Sequence, residues 1–306
     1  MTRPDGTPDP APSSAAAVRR PALLIALALL AVYVIWGSTY LAIRIALESW
    51  PPFLMAAVRF LVAGVLLFAF LRWRGMRAPT RAQWINAAIT GTLLLGFGNG
   101  LVCYAEQTVA SGVAAVAVAS MPLFAALFGS MYGEWPRQLE WLGLVIGFGG
   151  VILLNLGEGL DGSPLGAIAL TAAAIAWAFG SVWSRRRDMP PAAMNTAAQM
   201  LCGGGVLAVA ALAFGERWPS APTPAATMAL LYLIVFGSLI AFTAYLFLLN
   251  TVRPLLATSY AYVNPPVAVL IGALLAAEAV HAIDIVAMAV ILAGVALITL
   301  TRQRRQ

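Results

Sequence analysis

Residues 22–46 read ALLIALALLAVYVIWGSTYLAIRIA, twenty-five residues in which Arg44 is the only formal charge. A bilayer's hydrocarbon core is roughly 30 Å thick and a helix rises about 1.5 Å per residue, so about 20 apolar residues cross it. A strand of a spanning β-barrel would alternate polar and apolar side chains, and Pro21 to Ile35 does not alternate. Arg19 and Arg20 ahead of the run resemble the charged start of a signal peptide. The apolar stretch nevertheless continues through Trp36 to Ile45, too long for a cleaved leader. The stretch therefore reads as a retained membrane helix.

Nine further segments have the same character, at 52–72, 82–105, 110–133, 138–156, 164–185, 191–214, 225–249, 255–277 and 281–301. Of the 306 residues 61% are hydrophobic and 10% charged, and mean hydropathy is +0.88. Soluble domains run at about 45–50% apolar and about 25% charged, so this composition cannot make an aqueous surface. The sequence predicts an all-α integral membrane protein of ten transmembrane helices. Residues 1–20 start with a Pro- and Ala-rich stretch with little apolar surface to pack and are expected to form a disordered cytoplasmic tail. Residues 302–306 form a short basic tail. Cys103 and Cys202 fall inside spans and read as packing residues rather than a disulfide or metal pair.

All eighteen basic residues are arginine. With the N-terminus in the cytoplasm, fifteen fall in cytoplasmic segments (Arg3, Arg19, Arg20, Arg72, Arg74, Arg77, Arg81, Arg137, Arg185, Arg186, Arg187, Arg253, Arg302, Arg304 and Arg305). Arg217 alone falls outside, and Arg44 and Arg59 lie within spans. The positive-inside rule then places both termini in the cytoplasm. The excess of basic charge needs no nucleic-acid partner, since the arginines flank spans in short loops without interleaved aromatics; anionic lipid headgroups account for it.

A shift of 144 residues superposes Pro122 on Pro266, Glu134 on Glu278, Glu140 on Asp284 and Gly150 on Gly294, and a shift of 141 brings Trp36 onto Trp177. Identities ordered along the chain in this way are how an internal repeat looks. The halves are 21–157 and 164–301. Each holds five spans, an odd number, so the second copy enters the membrane inverted relative to the first. Inverted repeats around a central site are a transporter signature.

Several motifs add to this reading: Ile35-Trp36-Gly37-Ser38-Thr39-Tyr40, Pro51-Pro52 to Arg59-Phe60, Gly98-Asn99-Gly100, Ala257 through Pro265, and the paired Pro122 and Glu134. Together they resemble the EamA-type members of the drug/metabolite transporter superfamily, and most of all the ten-span bacterial inner-membrane exporters of amino acids and related metabolites. The resemblance covers roughly residues 22–301. It implies two inverted five-helix repeats around a central cavity, with the fifth and tenth spans peripheral. Alternating access, a small-molecule substrate and no cofactor also follow from it; a monomer embedded in lipid is expected.

Arg59 is the strongest candidate for a substrate ligand. Counted from Pro52 it lies roughly 10 Å deep, where a charge costs about 2.5–3.5 kcal/mol on insertion scales and normally faces the bundle interior. It could hold a carboxylate through a bidentate pair; the alternative is that it snorkels or pairs with Glu48 or Glu106. Arg44, nearer a span end, reads as a snorkelling or paired residue. Trp36 and Trp177 lie away from the interfacial belt usual for Trp. Ser38, Asn99, Tyr104, Thr258, Ser259, Tyr262 and Asn264 supply rings and small polar groups suited to an amphipathic solute. Ser259, Tyr262 and Pro266 share a helix face. For each of these singly, interhelical packing is the competing account. Pro122, Pro265 and Pro266 are candidate hinges, with a static kink as the alternative. Gly143, Gly147, Gly150 and Gly203 to Gly205 read as close-packing positions.

No acidic residue is expected deep in a span: Glu48, Glu106, Glu134, Glu158, Asp161, Glu216 and Glu278 all fall at or near span ends. A proton-coupled carrier usually has a membrane carboxylate, so facilitated efflux is the expectation. An integral-membrane enzyme is disfavoured: His281 is the only histidine, and HExxH, GxSxG and metal-ligand clusters are missing. Gly157 to Gly162 matches GxGxxG only literally, in a loop with no preceding strand. Nucleotide sugars would call for several deep basic residues and lipophilic cations for a buried carboxylate. Zwitterionic amino acids, aromatic ones included, fit best, with a multidrug or nucleotide-sugar-type carrier as the alternative.

Overall fold

The computed structural model describes residues 14–108, 118–155, 164–276 and 282–303. The expected tails at 1–13 and 304–306, the glycine-rich loop at 157–162, Glu158, Asp161, Glu278 and His281 lie outside the described residues. Helix α1 (Ser14–Leu47) starts ahead of the expected span. The Ala-rich Ser14–Val18 stretch favours helix strongly enough to continue the turn outward.

After α1 the chain forms α2 (Pro52–Trp73), then α3 (Arg81–Gly91), which runs through a π-helical segment (Thr92–Asn99) into α4 (Gly100–Ala105). Next come α5 (Met121–Ser130), α6 (Gln138–Asn155), α7 (Pro164–Ser184) and α8 (Ala192–Ala213). Helix α9 (Pro224–Tyr232) passes through a second π-helical segment (Leu233–Ile240) into α10 (Ala241–Thr251), followed by α11 (Pro254–Ala257), α12 (Tyr260–Ala276) and α13 (Ala282–Gln303). Six helical stretches among the described residues are long and apolar enough to cross a membrane: Ala22–Leu47, Pro52–Trp73, Arg81–Ala105, Pro164–Ser184, Ala192–Ala213 and Pro224–Thr251. The expected spans at 110–133, 138–156, 255–277 and 281–301 coincide with apolar helices that are shorter within the described residues.

Local chemistry fixes the helix ends. Thr80 and Gln83 form a reciprocal capping box on α3, and Thr223 caps α9 by accepting from the Ala226 N–H at 3.2 Å. Gly133 and Gly215 adopt φ of 82° and 69°. In each case the following amide closes a six-residue bond back into the helix, Glu134 N to Gly129 O and Glu216 N to Ala211 O, both 2.9 Å. A side chain at that φ would be strained, so the two glycines decide where Glu134 and Glu216 point.

Those carboxylates define two ends of the bundle. At one end Glu134 accepts from Arg185 (3.2 Å) and Arg186 (2.8 Å). Glu140 pairs there with Arg253, and Asp188 accepts from Gln83 Nε2 at 3.0 Å. The arginine-bearing loops after α2, α5, α7 and α10 thus meet on one side. At the other end Glu216 accepts from the Phe53 and Leu54 amides at the start of α2 (3.2 and 2.7 Å), satisfying a helix N-terminus with an anion. Leu, Ile, Val and Phe side chains are exposed around the barrel of helices, and Trp73, Trp135 and Trp218 are exposed near its ends, as lipid and its interfaces favour.

Helix pairing relies on small residues. Helix α2 lies along α8 with Gly204 against Leu61, and α6 lies along α13 with Gly143 against Gly294 and Gly150 against Ile291. A Cβ on Gly143 would stand 2.7 Å from the Gly294 carbonyl oxygen. Helix α1 packs on α9, the second π-helical segment and α10; α7 packs on α3, the first π-helical segment and α4. The two π-helical segments are eight residues each and start at 92 and 233, the same 141-residue offset that relates Trp36 to Trp177. Pro265 and Pro266 lie inside α12, whereas Pro122 opens α5 after a break at Ser120. The supposedly equivalent prolines therefore have different local geometry: Pro122 occupies the first turn, where its missing N–H costs nothing.

Candidate functional site

Between α1, α2, α4, α7, α10 and α12 lies a narrow cavity of about 70 Å³. Its wall is aromatic. Trp36 and Trp177 meet edge to face at 5.5 Å between ring centroids, and Trp36 also meets Tyr260 at 4.6 Å and Tyr245 at 5.2 Å. The indole N–H of Trp36 donates to the Gly237 carbonyl oxygen at 3.0 Å, and Tyr245 is held by Ser181 at 2.6 Å. Gly98 lets the Trp177 ring approach so closely that a Cβ there would stand 2.6 Å from it. Each tryptophan thus rests on a glycine in the opposite half's π-helical segment. A π-helical turn leaves its ladder locally irregular, which is common where backbone borders a functional space.

Among the described residues, Arg59 supplies the only cation on the cavity wall. It is 2% exposed and so does not snorkel. Its Nε donates to Ser238 Oγ at 2.8 Å, and its guanidinium carbon lies 4.7 Å from the centroid of the Phe60 ring. Nη1 is buried and has no hydrogen-bond partner. An orphaned donor on a charged group costs about 1–3 kcal/mol or more, so the site as it stands lacks an acceptor. Asn264 Oδ1, on the same wall, is buried without a partner too.

Of the sequence-stated candidates, Trp36, Arg59, Asn99, Trp177 and Asn264 line the cavity. Ser38 turns away and bonds with Tyr232 at 2.6 Å. Tyr104 stacks on Phe53 at 6.0 Å and lines a separate, more open depression with Glu48, Trp50 and Glu216. Thr258 donates to the Pro254 carbonyl oxygen (2.9 Å) and Ser259 bonds with Tyr33 (2.7 Å). Tyr262 donates to the Leu144 carbonyl oxygen (3.2 Å) against Gly147. All three are fully buried; Ser259 and Tyr262 hold helices together, and Thr258 closes the turn after α11. Thr39 and Tyr40 line the cavity unannounced, beside Tyr260. The signal was available for both: Trp36, Thr39, Tyr40 and Ile43 form one helix face at i, i+3, i+4 and i+7.

Glu106 stands at a span end, as expected, but both its carboxylate oxygens are buried and without a hydrogen-bond partner. It is the first residue past the helical stretch Arg81–Ala105, and packing from neighbouring helices covers it. The ground for an uncoupled mechanism, the lack of an enclosed carboxylate, is thereby removed. No group of three His, Cys, Asp or Glu side chains that could hold a metal occurs among the described residues.

The EamA-like transporter family profile matches residues 23–156 and again 164–300. The chain is 50% identical over 274 residues to the uncharacterized inner membrane transporter YedA of Escherichia coli K12, covering 89% of this chain and 90% of that one. It is 26% identical to the uncharacterized transporter YoaV of Bacillus subtilis over 92% of this chain and 99% of that one. One crystal structure shares the fold with a TM-score of 0.75 at 24% identity, over 92% of this chain and 99% of that chain. An aromatic cavity inside a bundle of apolar helices, and two matches to one profile that together take in most of the sequence, lead to one conclusion: the chain belongs to the EamA-like transporter family and is a membrane transporter, not an enzyme.

Proposed function

We propose that this protein exports amino acids or closely related zwitterionic metabolites across the bacterial inner membrane by alternating access. Ten crossings in two inverted five-helix repeats carry the movement, with both termini in the cytoplasm. Support for the inversion comes from paired packing: α1 on the α9–α10 stretch mirrors α7 on the α3–α4 stretch, and the π-helical segments share the offset of the two tryptophans. Support for the orientation comes from the arginine-bearing loops meeting at one end. The 50% identity to an inner membrane transporter supports the location.

The observation that carries the substrate reading is the free Nη1 of Arg59 in an aromatic wall. A carboxylate satisfies that donor, and the rings of Trp36, Trp177 and Tyr260 cover an apolar side chain. Counterflow of a panel of labelled amino acids in proteoliposomes tests this, with Arg59→Ala and Trp177→Ala beside wild type. Arg59→Ala is expected to abolish exchange and Trp177→Ala to weaken it. Unchanged transport in both variants refutes the site.

A further inference from the structure

The end of the bundle opposite the arginine pairs carries a second hollow that the central cavity does not account for. The depression beside Trp50 measures about 420 Å³, within the roughly 300–1,000 Å³ of small-molecule sites. Phe53 on α2 and Tyr104 on α4 line it, and the same helical stretches bring Arg59 and Asn99 to the cavity wall. Along α2, Phe53 precedes Arg59 by six residues, about 9 Å at helical rise.

Its chemistry is the reverse of the cavity's. Among the described residues two acids, Glu48 and Glu216, lie on its wall and no basic side chain does. Glu216 accepts from the Phe53 and Leu54 amides, one on each oxygen, which leaves open about two of a carboxylate's four acceptor sites. Glu48 is exposed and enters none of the ion pairs among the described residues. Phe53 is stacked between Phe214 at 5.1 Å and Tyr104 at 6.0 Å, so apolar ring surface flanks the acids. Trp50 adds an unmet donor. Only 6% exposed, it lines the depression against Trp218, and its indole N–H has no hydrogen-bond partner. An indole nitrogen can only donate. A bare metal cation would leave that donor and the rings unused, and a simple anion would face two acids. The guest that meets all three features is an ammonium group with an oxygen acceptor beside it, on a skeleton with an apolar part.

We propose that this depression is a second solute site, which takes the exported compound by its ammonium end once Arg59 has released its carboxylate. The proposal rests on the transport reading above. The ammonium donates to Glu48 and to the open acceptor sites of Glu216, Trp50 Nε1 donates to the neighbouring oxygen, and the stacked rings cover the apolar part. A cationic cavity followed by an acidic depression suits a zwitterion, whose two ends are held in succession, and turns away plain carboxylate anions at the mouth.

An amino-acid methyl ester isolates the site, because it keeps the ammonium and an ester carbonyl but offers Arg59 no carboxylate. Binding of phenylalanine methyl ester to the purified protein in lipid nanodiscs is measured by calorimetry, beside N-acetylphenylalanine, which lacks the ammonium. The ester is expected to bind wild type and Arg59→Ala alike, and less tightly as salt is added. Glu48→Gln should weaken it about two- to fivefold, as for an exposed ion pair. Trp50→Phe, which keeps a ring against Trp218, should weaken it about two- to tenfold. The N-acetyl acid should not compete. No ester binding to wild type, or binding that neither substitution weakens, overturns the proposal, and the transport reading stands if counterflow proceeds. Ester binding abolished by Arg59→Ala also overturns it, since the ester then sits in the central cavity. Ester binding with the expected variant pattern, in a protein that gives no counterflow of any labelled amino acid, overturns the substrate reading and leaves the ammonium site standing.

Discussion

Replacing Gly237 with alanine would set a methyl group 2.8 Å from Arg59 Nη2 and 3.2 Å from Thr39 Cγ2. The first distance is too short to persist, and what must yield is the tip of a flexible side chain. The guanidinium therefore swings away, and its 2.8 Å bond from Nε to Ser238 is the contact it loses. A hydrogen bond to a charged group contributes about 1.5–3 kcal/mol, so a substrate carboxylate that depends on Arg59 being held in place should bind about ten- to a hundredfold more weakly. Folding should survive, because alanine is the better helix former by about 1 kcal/mol. Counterflow kinetics give the answer: KM should rise by that factor while the melting temperature in detergent stays within a few degrees of wild type. An unchanged KM in a folded variant refutes Arg59 as the carboxylate ligand and leaves it as a packing residue.

Other substitutions separate packing from transport. Gly143→Ala forces a methyl against the Gly294 backbone oxygen and should destabilise by about 1–3 kcal/mol, whereas Gly205→Ala, which meets nothing within 4 Å, should leave the melting temperature at or slightly above wild type. Tyr262→Phe removes the bond to the Leu144 carbonyl oxygen and should lower stability by about 0.5–1.5 kcal/mol, measured by thermal denaturation, with KM untouched. Glu134→Gln weakens the half-exposed contacts with Arg185 and Arg186; its stability effect should be about 0.2–1 kcal/mol and shrink with added salt.

How much was legible in the sequence depended on which physical signal each residue carries. Apolar length identified six helices long enough to cross a membrane, and a desolvated charge marked Arg59 because hydrocarbon penalises any arginine that lacks an interior role. The faces of the helices were harder. In a soluble helix polarity distinguishes inside from outside, but here lipid and bundle interior are both apolar, so rotation about each axis was ambiguous. Of the polar run at the start of α12, Tyr260 and Asn264, at i and i+4, face the cavity, while Ser259 and Tyr262 are spent on packing. On α1 Ser38 stands two positions from Trp36, on the far side of the helix. Glu106 escaped notice for a related reason: position along the helix places it at an end, and only the packing of neighbouring helices encloses it.

The central claim, that the aromatic cavity is reached from each face in turn, is tested most directly by cysteine accessibility at Thr39, which lines it. With Cys103 and Cys202 replaced by serine, Thr39→Cys should react with a small membrane-impermeant thiol reagent in both right-side-out and inverted vesicles, and an amino-acid mixture should slow the reaction from either side. Labelling from one face only, or labelling that amino acids do not affect, contradicts the account.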